Sequence, residues 1–184
     1  YEISECLVGS EMCIRDRKVA VLMNAHALNS TQNIVCSGIQ DALEQEKLQG
    51  SEIQMSLITV DDTNTFSVEE SIRDIFMDQT LPDIIICLNE LSTTCVYQAV
   101  VDYNCVGEIA ILGYYDTDTI LKAIERNVIT ATISIDTEQM GAFCVDALQE
   151  YYNYGYTSQY FTADVTVIDQ SNVEEYLGKQ EEAE

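Results

Sequence analysis

Short runs of β-branched and other apolar residues alternate along this chain with stretches whose apolar residues recur at helical spacing. Such alternation is typical of βαβ units, in which the strands lie parallel and the connecting helices cover the sheet. The sequence therefore predicts an α/β fold with a doubly wound parallel sheet. The predicted strands are 18–23, 53–60, 83–88, 108–113, 128–135 and 162–167. The first predicted helix begins near residue 30, and the others span 68–78, 92–103, 117–127, 137–152 and 171–177.

Two local patterns refine this prediction. Ser67 followed by Glu70 has the spacing of a capping box, which places the start of a helix at Val68. In the first helix, apolar residues at helical spacing predict one buried face. The residues of that face are Ile34, Ile39, Leu43 and Leu48.

The first 17 residues, YEISECLVGSEMCIRDR, fit neither helical nor strand spacing and lack the regions of a signal peptide. Within them, 7–16 (LVGSEMCIRD) resembles a translated reading frame of an adapter used in transposase-based DNA sequencing libraries. This resemblance implies that 1–17 is a non-native, adapter-derived segment and that the gene was cut just before Lys18. We therefore expect a truncated fragment and leave 1–17 out of the fold prediction.

The chain is strongly acidic, with 32 acidic and 8 basic residues and a formal net charge of −24. A surface of this sign repels phosphate backbones and anionic lipid, so we expect no nucleic-acid partner and no binding to a membrane surface. No apolar run approaches the roughly 20 residues that a membrane span requires, and no direct membrane span is predicted.

The composition also argues against a metal centre, a cofactor and catalysis. After residue 17 the chain has five cysteines without a C-x-x-C pair and one histidine, His26, which do not make a zinc site. No serine or cysteine nucleophile with an orienting partner can be identified around His26, so we expect neither an enzyme nor a cofactor. Three cysteines lie in apolar stretches and are expected to be buried thiols: Cys36, Cys87 and Cys144.

In doubly wound sheets, ligands bind beyond the carboxyl ends of the strands. Here those positions hold mainly acids, amides and tyrosines, which hydrogen-bond to hydroxyl groups and cover the apolar face of a sugar ring. No lysine, arginine or glycine-rich loop is placed to receive a phosphate. The sequence therefore predicts a hydroxyl-rich ligand. The residues concerned are 24–26, 61–64, 89–91, 114–116 and 134–136.

Three segments carry a family resemblance: 82–90 (PDIIICLNE), 110–116 (AILGYYD) and 131–141 (ATISIDTEQMG). Their order and spacing resemble those of the type I periplasmic sugar-binding proteins and of the lactose-repressor-like regulators that share their ligand-binding fold. The resemblance extends over 18–177. It implies two similar α/β lobes joined by three crossovers, with the ligand held in the cleft between them.

The resemblance also implies site residues. Asn89 and Asp116 match the family's sugar-binding asparagine and aspartate, and Tyr115 matches the aromatic residue that precedes this aspartate. Each of the two polar residues also has an alternative role, because each precedes a predicted helix and can act as its N-cap.

Two further positions depart from the family. Asn33 ends a polar stretch, 29–33, where many members place a ligand-binding arginine, and we expect Asn33 to be one of the ligand-binding residues. Ile135 stands where many sugar binders have a glutamine, so we expect the contact from this segment to come from Ser134 or Asp136 instead.

The resemblance implies a division of the chain. Residues 18–134 would form the C-terminal ligand-binding lobe, 135–160 a crossover helix of the largely missing first lobe, and 161–184 a return strand, a closing turn and an acidic tail. The helix 137–152 would then lack its native sheet, and we expect it to be exposed or docked in a non-native place. With half of the cleft missing, sugar binding should be weak or absent.

The implied function is binding without chemistry. We expect a substrate-binding protein of a sugar ABC transporter, which in the intact protein would lie outside the cytoplasm, periplasmic or lipoprotein-anchored, and deliver its ligand to an ABC permease. The alternative is the effector-binding domain of a lactose-repressor-like transcription regulator, which would be cytoplasmic.

Overall fold

The computed structural model describes residues 17–26, 30–47, 53–77 and 80–181. In this part of the chain, six strands alternate with six helices, one for each element that the sequence predicts. The strands are β1 (Arg17–Asn24), β2 (Ile53–Val60), β3 (Ile84–Cys87), β4 (Ala110–Tyr114), β5 (Ala131–Ile135) and β6 (Val165–Asp169). The helices are α1 (Ser30–Lys47), α2 (Thr65–Met77), α3 (Glu90–Asp102), α4 (Asp118–Glu125), α5 (Thr137–Tyr154) and α6 (Val173–Glu181). The predicted non-native segment lies outside the described residues except for Arg17, which begins β1.

The strands form one sheet in the order β2-β1-β3-β4-β5-β6. The first five strands are parallel, which confirms the predicted doubly wound α/β fold. The last strand differs from the prediction, because β6 runs antiparallel to β5. The reason is visible at the end of β5, where the Asp136 amide donates to the Asp164 carbonyl at 3.0 Å. The chain therefore re-enters the sheet beside the point where it left, and it has to run in the opposite direction.

Helices cover the sheet on both faces. One face of β1 packs Val19 and Val21 against Cys36 of α1. The other face contributes Ala20 and Leu22 to a larger core, which it shares with the buried sides of α2, α3, α4 and α6. For the helices that connect parallel strands this distribution follows from the strand order, since right-handed crossovers place α1 on one face and α2, α3 and α4 on the other.

Two local predictions need correction. Helix α2 begins at Thr65, three residues before Val68, and its first turn is capped by Asn64, whose Oδ1 accepts from the Ser67 amide at 3.0 Å. The Ser67–Glu70 capping box is therefore wrong, because an upstream asparagine occupies the capping position. In α1, Ile39 and Leu43 pack against the core as predicted, but Ile34 is exposed, and Leu48 lies outside the described residues.

Helix α5 is the exception to this packing, since none of its residues is buried. Its side chains contact the segment that follows instead. Gln139 and Asp164 exchange two hydrogen bonds, the Phe143 and Phe161 rings lie 5.3 Å apart, and Glu150 accepts from the Ser158 amide at 2.6 Å. We call residues 137–164 the α5 hairpin.

Helix α5 is exposed, which is one of the two outcomes expected from the sequence: Met140 is 49% exposed and Leu148 is 58% exposed. The prediction of a buried Cys144 is wrong, because this cysteine lies on α5, whereas Cys36 and Cys87 are buried as predicted. No described helix is long and apolar enough to cross a membrane.

Candidate binding site

The strand order has a switch point between β1 and β3, because the chain moves to one side of the sheet after β1 and to the other side after β2. Open α/β sheets bind ligands at the carboxyl ends of the strands beside such a point. Two asparagines meet there. Asn24 ends β1 and Asn89 follows β3, and the Nδ2 group of Asn89 donates a hydrogen bond to Oδ1 of Asn24.

Asn89 is also the N-cap of α3. Its Oδ1 accepts from the Ser92 amide at 2.7 Å, so the capping role suggested by the sequence is confirmed. Thr93 fixes the backbone at this position: its buried hydroxyl donates to the Asn89 carbonyl at 2.7 Å and accepts from the Tyr114 amide at 3.1 Å. One side chain therefore ties the β3–α3 loop to the end of β4.

The turn after β4 carries Tyr115 and Asp116. Tyr115 has a left-handed backbone with φ 74°, which is unfavourable for a residue with a side chain. Its amide donates to the Ile133 carbonyl at 2.8 Å, and its carbonyl accepts from the Thr132 hydroxyl at 2.6 Å. The Tyr114 and Tyr115 rings meet edge to face, 5.1 Å apart. The pKa of Tyr114 is raised, first by burial of its side chain and second by the neighbouring Tyr115.

Asp116 lies between β4 and α4, and its Oδ2 accepts from the Ser134 hydroxyl at 2.9 Å. The alternative role of Asp116 as a helix cap is wrong, because the N-cap of α4 is Thr117. The structure thus brings together two of the predicted site residues, Asp116 and Ser134.

Asp136 has a different surrounding. It is the N-cap of α5, and its Oδ1 accepts from the Gln139 amide at 2.8 Å. Of the two residues expected to supply a contact from this segment, Ser134 is the one joined to Asp116, whereas Asp136 holds the start of the α5 hairpin.

Asn33 lies in the first turn of α1, where its side chain is exposed. Its neighbour Gln32 reaches the strand end instead, with Oε1 accepting from the Asn24 amide at 3.2 Å. Gln32 belongs to the predicted polar stretch 29–33, but its residue type alone does not distinguish it from its neighbours. Asn29 and its surroundings at 27–29 lie outside the described residues.

The loops after β1 and β2 are joined by His26. Its ring Nδ1 lies 2.9 Å from Oδ1 of Asp62, and its amide donates to the same oxygen at 3.0 Å. Partial burial raises the pKa of Asp62, but the hydrogen bonds from His26 outweigh it, so the net shift is downward. Hydrogen bonds from Thr63 likewise lower the pKa of Asp61. Both carboxyl groups are therefore anionic near neutral pH.

The edge of the sheet formed by the carboxyl ends of the parallel strands is therefore acidic. Among the described residues, no lysine or arginine follows the carboxyl end of a parallel strand. The described part of the chain also has no group of three histidine, cysteine, aspartate or glutamate side chains that could hold a metal ion. Hydrogen-bond acceptors and amides dominate this edge, and they suit hydroxyl groups better than phosphate or carboxylate.

Comparison with known proteins supports this assignment of the fold. No protein-family model matches the chain, and no curated protein matches its sequence. Among solved structures, an ABC transporter solute-binding protein of Bacillus halodurans C-125 with bound myo-inositol superposes with a TM-score of 0.76 at 17% identity, over 97% of this chain and 58% of that one. GanP, a glucose-galactose binding protein from Geobacillus stearothermophilus, gives 0.74 at 18% identity, over 85% and 54%.

A third structure, the Caulobacter myo-inositol binding protein bound to myo-inositol, gives a TM-score of 0.73 at 18% identity, over 89% of this chain and 55% of that one. The described chain thus has the architecture of one lobe of a type I periplasmic binding protein. It spans little more than half the length of these structures. All three are named as binding proteins rather than enzymes.

Proposed function

We propose that this chain belongs to the substrate-binding protein of a sugar ABC transporter and contributes one side of its ligand site. The observation that carries the proposal is the polar edge at the carboxyl ends of β1, β3, β4 and β5. There Asp116 is held by Ser134, and Asn89 is held by its capping bond and by Asn24. Fixed acceptors and amides of this kind match the hydroxyl groups of a sugar or cyclic polyol.

The ligand chemistry follows from this edge. The Asp116 carboxylate accepts hydrogen bonds from hydroxyl groups, and the amide of Asn89 serves as donor and acceptor. Tyr115, whose side chain is exposed beside Asp116, offers an aromatic face for the C–H surface of a sugar ring. A phosphorylated sugar would bring its charge to an edge that carries carboxylates and, among the described residues, no lysine or arginine, so the site selects against it.

The proposal includes a second lobe. Residues 18–134 with β6 and α6 would form the C-terminal lobe, and the α5 hairpin would pack in the other lobe. The support is the contrast between α5, which has no buried residue, and α6, whose Val173 is buried in the core. The comparison structures are also almost twice as long as the matched region. Ligand binding by this chain alone should therefore be weak, in the millimolar range (about −4 kcal/mol).

In this proposal the protein works outside the cytoplasm and passes its ligand to an ABC permease. The comparison structures are named as binding proteins, one of them as the solute-binding protein of an ABC transporter, and this favours transport over the regulator alternative.

The test is an NMR titration of the isotope-labelled chain with myo-inositol, D-galactose and D-glucose at up to about 50 mM, a range suited to millimolar affinity. We expect shifts of the Asn89 side-chain amide and of the Tyr115 and Asp116 backbone amides. Asp116→Asn should weaken the response about tenfold, because a hydrogen bond to a charged acceptor is lost.

Asp118→Asn is the matched control, since Asp118 lies two residues further on and pairs with Lys122 at the surface. It should leave the titration unchanged. Glucose 6-phosphate should give no shifts at this edge. The proposal fails if none of the three sugars shifts these signals, or if Asp116→Asn and Asp118→Asn behave alike.

A further inference from the structure

Strand β5 carries two hydroxyl side chains, spaced two residues apart, that contact the turn after β4. This turn contains Tyr115 and Asp116. Thr132 donates to the Tyr115 carbonyl at 2.6 Å, and Ser134 donates to Oδ2 of Asp116 at 2.9 Å. Residues two apart on a strand point to the same face. Between them, the Ile133 carbonyl accepts from the Tyr115 amide at 2.8 Å. Three consecutive residues of β5 thus hold two consecutive residues of the turn.

The turn needs such anchoring because its backbone is unfavourable. Tyr115 has φ 74°, a conformation that a residue with a Cβ adopts at a cost and that persists where its surroundings fix it. The bonds from Thr132 and Ile133 hold both the carbonyl and the amide of this residue. Its backbone direction determines where the next residue, Asp116, places its carboxylate.

Both hydroxyls are shielded from water: Thr132 is 1% exposed and Ser134 is 7% exposed. Hydrogen bonds of hydroxyl groups shielded from water are costly to lose. Gly113, which pairs with Thr132 across the sheet, leaves room for the arrangement. A Cβ at this position would lie 2.7 Å from Cγ2 of Thr93 and 3.1 Å from Oγ1 of Thr132.

We propose that Thr132 and Ser134 are the positioning residues of this binding site. Thr132 fixes the left-handed turn at Tyr115, and Ser134 fixes the orientation of the Asp116 carboxylate. In this proposal neither residue contacts the ligand, so Ser134, expected from the sequence to be a ligand contact, acts through Asp116 instead. The consequence for affinity rests on the proposed function, in which Asp116 binds a sugar, whereas the positioning itself is a property of the chain without ligand.

The first experiment measures hydrogen exchange at the Tyr115 amide. Thr132→Val removes the hydroxyl at constant shape and should speed this exchange about fivefold or more, the ratio expected for the loss of one hydrogen bond. Thr132→Ser keeps the hydroxyl and should restore slow exchange. Thr166→Val, on the neighbouring strand β6, is the control and should have no effect at Tyr115. Exchange in the core at Ile85 and Ile111 should be unchanged in all three.

The second experiment addresses Ser134 through the ¹³C resonance of the Asp116 carboxylate. Ser134→Ala should shift this resonance, and Ser134→Thr should return it towards its original position. With myo-inositol as the probe, Ser134→Ala should weaken binding about fivefold in the original chain, and it should have no further effect in an Asp116→Asn background.

The outcomes separate the two proposals. If Thr132→Val leaves Tyr115 exchange unchanged, or Ser134→Ala leaves the Asp116 resonance in place, positioning is overturned whatever the ligand results. If Ser134→Ala still weakens binding in the Asp116→Asn background, Ser134 contacts the ligand itself and positioning is again overturned. If both spectroscopic effects occur but no sugar binds, positioning holds and the proposed function fails.

Discussion

At the scale of single residues, Cys87 and Cys144 occupy opposite environments. Cys87 is buried at the end of β3, and burial raises the pKa of its thiol to about 12. Cys144 is exposed on α5. Because the thiolate is the reactive form, these surroundings predict a large difference in reactivity.

We expect Ellman's reagent to modify Cys144 at once, and Cys36, Cys87, Cys95 and Cys105 at least about a hundredfold more slowly, through opening of the fold. The reaction is followed by absorbance and by peptide mass, in a variant with Cys6→Ser and Cys13→Ser so that only these five thiols react. Adding Cys144→Ser should abolish the fast phase. Fast modification of Cys87 would contradict its burial.

Gly113 provides a second prediction at this scale. Gly113→Ala places a methyl group against Thr93 and Thr132, so we expect a loss of about 1–3 kcal/mol in the free energy of unfolding. Urea denaturation measures it. Gly38→Ala, in open space on α1, should instead stabilise the chain by about 0.5–1 kcal/mol, because alanine favours the helix. Equal effects at the two glycines would rule out the close approach at Gly113.

Some residues of the candidate site can be predicted from the sequence, and others cannot. Asn89 and Asp116 were identified because each lies in a short motif at the end of an apolar strand. Thr93 and Thr132 were not, because a threonine among apolar residues only indicates a helix or strand that contains it. Their partners lie 21 and 17 residues away, so their roles depend on the packing of β4 against α3 and β5.

At the scale of elements, the positions of the strands could be predicted because most of them are apolar runs bounded by polar loops. The direction of β6 could not, since its residues contain no signal for parallel or antiparallel pairing. Direction is set by where the chain re-enters the sheet, at the contact between Asp136 and Asp164. The start of α2 could not be predicted either. Asn64 and Ser67 are both good N-cap residues, and the sequence alone does not show which of them caps the helix.

The α5 hairpin predicts an unusual pattern of limited proteolysis. Residues 127–178 contain no lysine or arginine, so trypsin has no site in the hairpin. Chymotrypsin meets exposed aromatic residues in the non-helical segment after Gly155, where Tyr160 is 86% exposed. We expect early chymotryptic cleavage at Tyr156, Tyr160 or Phe161, detected by mass spectrometry, while the sheet remains intact.

Tyr114 and Tyr97 serve as internal controls in this digestion, because both are partly buried within the packed sheet and helices. They should be cleaved only after the hairpin. Cleavage at these tyrosines before the hairpin would show that the sheet, and not the hairpin, is the less stable part.

At the scale of the whole molecule, the hairpin enters and leaves the sheet through neighbouring strands, with Ile135 paired to Val165. We predict that residues 136–164 can be replaced by the dipeptide Asn-Gly, which forms the tight turn that joins antiparallel strands. The shortened chain should keep its circular dichroism spectrum, and its melting temperature should stay within about 5 °C, a change equivalent to about 1 kcal/mol.

A register control makes this test specific. Joining Ser134 instead of Ile135 to Val165 through the same dipeptide shifts β6 by one residue, which turns Ile168 from the core to the other face of the sheet. This variant should be clearly less stable, because Ile168 is fully buried. If the correctly joined chain also fails to fold, the sheet depends on the hairpin.

The pairing of β5 with β6 therefore makes the α5 hairpin an insertion in the topological sense. If the predicted replacement succeeds, the chain consists of a sheet domain and a module that lies inside the chain rather than at its end. A designer could exchange that module for another pair of antiparallel segments without changing the strand order. The hairpin is attached to the sheet through β5 and β6. It could therefore acquire new partners without displacing Asn89, Tyr115 and Asp116.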